Sequence, residues 1–300
     1  MKMQQPLRSL EELRREIDEI DDAIHDLIMR RAAVISEIAA VKGSAMAAAG
    51  TYLRPGREAI VLRRLVARHR GAFPKPALVR LWREIIAAPL AVQGAFSVAV
   101  FAPKEQPGYW DLARDHYGST ATFIPHTTSS QVIGALNEGN AVVGVLPAIQ
   151  NDDPDPWWRL LAREDDRVPH VMARLPIAPS NNARGEGLAA LVVGPVVAEA
   201  SGRDHTYIAF EVGEELSRAR LRAQLDKAGL EPCFFAAWQE GQGARRLVLV
   251  ELSEFVAKDD ARLAAFAEAT AGGIRRLFHI GGYALPFGAE ELAAKMTTSV

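Results

Sequence analysis

From Leu10 to Val41 the chain places apolar residues in alternating steps of three and four: Leu10, Leu13, Ile17, Ile20, Ile24, Leu27, then Val34, Ile38 and Val41. That period is an apolar seam along an α-helix. No proline or glycine interrupts it before Gly43. Ser9 and Glu12, just ahead of the seam, have the spacing of a capping box, in which hydroxyl and carboxylate satisfy two free backbone N–H groups. At 1.5 Å rise per residue, Ser9 to Lys42 spans roughly 50 Å. A small domain has no use for so long a helix by itself, so packing against another chain is expected. The seam also carries charge: Arg31 takes a seam position and Lys42 sits on its flank.

Two more helices follow. "YLRPGREAIVLRRLVARHRG" has Pro55 for a first turn and Gly71 for an end. "KPALVRLWREIIAAPLAVQG" has Leu78, Trp82, Ile85, Ile86, Leu90 and Val92 as its apolar members, and Pro89 is expected to kink it unless the lost hydrogen bond is absorbed nearby. Gln93 falls seven residues after Ile86, on much the same face. Arg57 and Glu58 open the second helix. The unit thus turns Arg31, Lys42 and Gln93 toward its interior. Each alone is explained by snorkelling or local pairing, but burying several unpaired cations costs several kcal/mol apiece. A dianionic small ligand would supply the missing counter-charge.

The ordered set "LRREIDEIDDAIHDLIMRR", "VK", "RPGRE" and a closing Gln resembles the all-helical chorismate mutases over about residues 7–95. The resemblance implies that Arg14 and Arg31 hold the two carboxylates of chorismate. It also implies that Lys42 and Gln93 bond the ether oxygen, that Glu58 accepts from the ring hydroxyl, and that Arg57 assists from the rim. A Claisen rearrangement has no nucleophile and no obligatory proton transfer. It needs a folded substrate and stabilised charge on the departing oxygen, and no cofactor or metal. Arg14 and Arg31 lie 17 residues apart on one helix, roughly 25 Å along its axis, so one small substrate cannot bridge them. If Arg14 serves such a site, another chain builds most of it, and a homodimer with shared sites is expected. The sequence departs from the family at Arg54, often acidic there, and at Pro89, often a small hydroxyl residue.

From Phe96 the period changes. "FSVAVFA", "ATFIPH", "AVVGVLP", "HVMARLPI" and "LAALVVG" read as buried strands alternating with helical stretches, an α/β unit with a largely parallel sheet. From His205 the order strand, helix, strand, strand, helix, strand is the split βαβ, ferredoxin-like order. The two parts resemble prephenate dehydratase and its ACT regulatory domain. Several of that family's motifs are missing. Its Thr-Arg-Phe is replaced by Leu188, Ala189 and Ala190, its Glu-Asn-Ser box is reduced to "AIQN" with Asn151 kept, and the effector motif has become "AWQE" at Ala237–Glu240. About a hundred residues between Phe96 and Asp204 leave room for one lobe where the family has two.

The expected organisation is therefore multidomain: a helical mutase domain over 1–95, a degenerate dehydratase-like α/β lobe over 96–203 and an ACT-like α+β domain over 204–300. The expected activity is conversion of chorismate to prephenate in aromatic amino-acid biosynthesis. The alternatives are a bifunctional mutase–dehydratase and a non-catalytic regulatory protein with a ligand-binding ACT-like part. A formal net charge of −2 gives no sign of nucleic-acid or membrane binding. One cysteine, Cys233, excludes a disulfide framework, and the seven histidines show no metal-ligand spacing. A chain with no signal-like apolar stretch at its start is expected to be cytoplasmic.

Overall fold

The computed structural model describes residues 8–42, 52–92, 96–153, 155–165, 167–179, 184, 187–213, 216–241, 245–270 and 272–293. Helix α1 runs unbroken over Leu10–Lys42. The capping box is formed: the Glu12 backbone N–H donates to Ser9 Oγ at 3.2 Å, and the Ser9 backbone N–H donates to Glu12 Oε2 at 2.8 Å. These Ser9 bonds hold the Glu12 carboxyl below its ordinary pKa. Helix α2 (Pro55–Arg68) carries Pro at its first position and ends ahead of Gly71. It buries Gly56, Ala59, Leu62 and Val66, a three-and-four row.

Helix α3 (Lys75–Val92) passes straight through Pro89. Proline has no N–H, so the Ile85 carbonyl four residues earlier loses its helical partner. The Arg31 guanidinium supplies the replacement, with Nη1 donating to Ile85 O at 2.8 Å. The fully buried row of α3 is Val79, Arg83, Ala87 and Leu90, with Trp82, Ile85 and Ile86 half-buried beside it. That row is shifted by one residue from the Leu78–Trp82 row read from the sequence. Arg83 lies in it because it finds acceptors, as set out below.

The rest of the chain forms one nine-stranded sheet in the order β2-β1-β3-β5-β4-β9-β6-β8-β7. Strands β1 (Ser97–Phe101), β2 (Thr122–His126) and β3 (Val143–Pro147) are parallel, joined through α4 (Gly108–Tyr117) and α5 (Ser129–Asn137). The largely parallel sheet expected of this lobe stops there. β5 (Ala190–Gly194) runs antiparallel to both β3 and β4 (His170–Leu175). The stretch "WWRLLARE" forms a 3-10 turn, Trp157–Leu161, and Trp158 is wholly buried.

Strands β6 (Asp204–Val212), β7 (Pro232–Glu240), β8 (Arg245–Leu252) and β9 (Ile274–Ala284), with α6 (Arg218–Lys227) and α7 (Ala261–Ala269), have the ferredoxin-like pairing β9-β6-β8-β7, antiparallel throughout. This sheet joins the first through β4 and β9, which meet at Val171 and Gly281. Gly281 has φ +119°, and a Cβ there would lie 2.2 Å from the Val171 carbonyl oxygen, so only glycine fits the joint. One apolar core runs across the joint, from Ala99 and Val132 through Trp158 and Leu191 to Tyr207 and Phe278. A short helix, α8 (Ala289–Leu292), closes the described chain. Among the described residues, no helix is long and apolar enough to cross a membrane.

Candidate active site

The helical unit brings together one residue from each of its three helices. Arg31 of α1 is half-buried on the stripe of Ile28, Ile35 and Ala39. Burial lowers its guanidinium pKa, and the Glu58 carboxylate acts the opposite way, so the two sense each other. Glu58, in the first turn of α2, accepts from Arg83 Nη1 of α3 at 2.5 Å. Arg83 is 2 % exposed. A cation so deeply buried needs a charge partner and further acceptors. It has both: Glu58, and the backbone carbonyl of His116, which accepts from Nε at 2.9 Å and from Nη2 at 2.7 Å. His116 lies in the last turn of α4 and is itself buried. Burial, with Arg83 nearby, holds its pKa well below the ordinary histidine value.

Two of the other residues named from the sequence lie elsewhere within the chain. Arg14 is exposed near the start of α1, and Arg57 is exposed at the start of α2. Lys42 is the last residue of α1. Gln93 lies outside the described residues. The structure therefore brings Arg31 and Glu58 together and leaves Arg14 and Arg57 outside that group within one chain. Arg83 was missed by sequence reading. The signal was present in its spacing from Val79, Ala87 and Leu90, a buried row with a cation inside it. A cavity of about 360 Å³ is lined by Arg83 together with Arg80, His116, Leu175 and Ile177. Neither Arg31 nor Glu58 lines it.

The two departures from the family pattern have structural partners. Arg54 forms a double fork with Glu199, Nε and Nη2 each donating to both carboxylate oxygens at 3.0–3.2 Å. Pro89 is the residue whose missing N–H is replaced by Arg31. Arg63 of α2 also reaches the sheet unit, donating to the carbonyls of Ser201, Arg203 and Leu285 at 2.9–3.0 Å.

A second polar cluster lies in the sheet. His205 Nδ1 is 2.8 Å from Glu251 Oε1 and 3.8 Å from Cys233 Sγ. Hydrogen bonding of the His205 ring to Cys233 and Glu251 raises its pKa to about 9, against the opposing effect of burial.

Residues 13–94 match the family chorismate mutase type II. The chain is similar to the bifunctional chorismate mutase/prephenate dehydratase of Aquifex aeolicus (strain VF5), 31% identical over 145 residues, which are 47% of this chain and 39% of that protein. The protein of the same description from Stutzerimonas stutzeri is 32% identical over 140 residues, 46% of this chain and 38% of the relative. The matched region thus spans about two fifths of the length of these relatives. Among solved structures, prephenate dehydratase from Streptococcus mutans aligns over 64% of this chain and 98% of its own, with 14% identity and a TM-score of 0.46, a loose likeness. The match to chorismate mutase type II thus falls on the three-helix unit.

Proposed function

We propose that the chain converts chorismate to prephenate, in a homodimer whose active sites draw on both chains. The observation that carries this reading is a half-buried Arg31 whose charge is felt by Glu58, inside a unit that matches the mutase family. Arg31 and Glu58 would contact a carboxylate and the ring hydroxyl, Lys42 and Gln93 the ether oxygen, and Arg57 would assist from the rim. Arginine suits the carboxylates because its planar fork binds them bidentately. Arg14 would come from the second chain, since roughly 25 Å of helix separates it from Arg31. The exposed seam supports this. Leu10, Leu13, Ile17, Ile20, Ile24, Leu27, Val34, Ile38 and Val41 are 40 to 89 % exposed in the single chain, and an apolar stripe of that length calls for a partner.

The test is direct: loss of chorismate and gain of prephenate with purified chain. Arg14→Ala and Arg31→Ala should each be nearly inactive alone. Each loss removes a charge-assisted carboxylate contact worth roughly 1.5–3 kcal/mol. Random pairing of the two variants makes about half of the dimers mixed, and one of the two sites in each mixed dimer is whole, so the mixture should regain about a quarter of the parental activity. No gain on verified subunit exchange sinks the shared site.

In the same reading, residues 96–203 form a dehydratase-like lobe without dehydratase chemistry, and residues 204–300 an ACT-like domain without phenylalanine control. Supporting it, Leu188, Ala189 and Ala190 stand where the family has Thr-Arg-Phe, and Ala190 is sealed in β5. Phenylpyruvate formed from prephenate in proportion to protein would refute the first point, and micromolar phenylalanine binding the second. A second reading, a non-catalytic regulatory protein, is favoured by one observation: Arg31 and Glu58 already have partners, Ile85 and Arg83, within the chain. Chorismate turnover separates the two.

A further inference from the structure

We propose that His205, Cys233 and Glu251, on the adjacent strands β6, β7 and β8, form a binding site for a zinc-class divalent metal ion. Glu251 sits on β8 between the other two strands, in register with Tyr207 of β6 and Phe234 of β7. Cys233 lies where the β7–β8 register shifts between Pro232 and Phe234. Such a bulge re-aims a side chain, and here it aims a thiol at the same point as the other two groups. One donor atom from each residue lies within 4.8 Å of the others.

The geometry favours coordination over a nucleophilic triad. In a Cys–His–acid triad the thiol faces one ring nitrogen and the acid holds the other. Here Glu251 Oε1 and Cys233 Sγ both approach Nδ1, at 2.8 and 3.8 Å. A single ring nitrogen serves one hydrogen-bond partner well, whereas an ion set among the three binds them all. Tetrahedral zinc, with bonds of about 2.0–2.3 Å, keeps N, O and S donors about 3.3–3.6 Å apart. These two separations fall on either side of that range, and the thiol and carboxylate donors lie within 4.8 Å of each other, so shifts of at most about 1.2 Å would complete the site.

The surrounding groups fit as well. A metal-binding carboxylate is commonly held by an outer hydrogen bond, and the Tyr283 hydroxyl donates to Glu251. Arg174 Nη1 donates in turn to the Tyr283 oxygen at 3.2 Å. The thiolate and carboxylate together offset the two charges of the ion. Cys233 is exposed, which gives the ion an entry path and leaves a fourth position for water. Nitrogen, sulfur and oxygen together select zinc or cobalt over magnesium or calcium, which take oxygen donors. Cys233 stands 28 residues from His205 and 18 from Glu251 along the chain, which is why sequence spacing carried no metal motif.

The experiment uses the full chain, stripped with a chelator and titrated with cobalt(II), then zinc. The chain has one cysteine, so a thiolate-to-cobalt charge-transfer band has a single possible source. The expected result is one ion per chain, a near-ultraviolet band displaced by zinc, and a higher melting temperature with zinc. Cys233→Ser, an exposed and conservative change, should abolish the band while circular dichroism stays parental. Tyr283→Phe should weaken zinc by about 10–100-fold. A folded parent without the band, or zinc affinity unchanged in both Cys233→Ser and Glu251→Gln, overturns the proposal and leaves a His–Glu ion pair beside a thiol.

Discussion

Helix α1 and the nine-stranded sheet are both built on long apolar patterns, yet they use them differently. The sheet buries its pattern inside the chain, in a core continuous across β4 and β9. The seam of α1 stays in solvent except for the stripe around Arg31. Periodicity says that a face must be covered. It does not say by what, and here the same kind of signal leads once to an internal core and once to a surface that asks for another chain.

The strongest test of the sheet's self-sufficiency is its joint. Gly281→Ala sets a Cβ against the Val171 carbonyl at a positive φ, and should remove at least about 4 kcal/mol, read as the urea midpoint. A near-parental midpoint would mean that the two halves of the sheet stand independently. Next is the contact between helices and sheet. Arg83→Met leaves Glu58 without its ion-pair partner and should cost about 3–5 kcal/mol. Adding Glu58→Gln should recover part of it.

A smaller effect is expected where α1 meets α3. Arg31→Met should cost about 1.5–3 kcal/mol in the parent. It should cost less than about half of that in a Pro89→Ala background, where the substituted residue offers its own backbone N–H to the Ile85 carbonyl. Equal costs would show that Arg31 does not serve that carbonyl. The acid limb of stability should show His116, whose pKa burial lowers in the folded state. The unfolded chain binds the proton more readily, so His116's contribution is full above about pH 6.5 and falls as pH drops toward its folded value, by at most about 1.4 kcal/mol per pH unit. His116→Gln should flatten that limb of the melting temperature between about pH 7 and pH 5. The smallest effect on the fold should come from the seam. Ile17→Asp and Ile24→Asp should each move the sheet's unfolding by less than about 0.5 kcal/mol, while the pair together halves the mass in solution if a second copy covers α1.

The strands were legible in the sequence almost residue by residue, because buried runs such as "FSVAVFA" and "LAALVVG" are bounded by turns. The split βαβ order was legible for the same reason. Strand direction was not: β5 looks from its composition like any parallel strand, yet it runs antiparallel to both of its neighbours. The site was half legible. Arg31 announced itself as a cation in an apolar row, and Arg83 did so equally on α3, but the row there was read one residue out of phase. Its partners, Glu58 and the carbonyl of His116, are 25 and 33 residues away along the chain, and no local pattern records them. The His205, Cys233 and Glu251 cluster was illegible for the same reason.

The arginines that cross from helix to sheet bear on where this gene could be cut. A boundary at 95/96 looks clean in sequence, since period and composition change there together. Yet Arg54, Arg63, Arg80 and Arg83 take their partners from Glu199, the 201–203 turn with Leu285, Asp115 and His116, and Lys75 donates to the carbonyl of Glu291. A fragment ending at 95 would present a row of cations to water with none of these acceptors. The later two thirds of the chain are thus the socket in which α2 and α3 are seated.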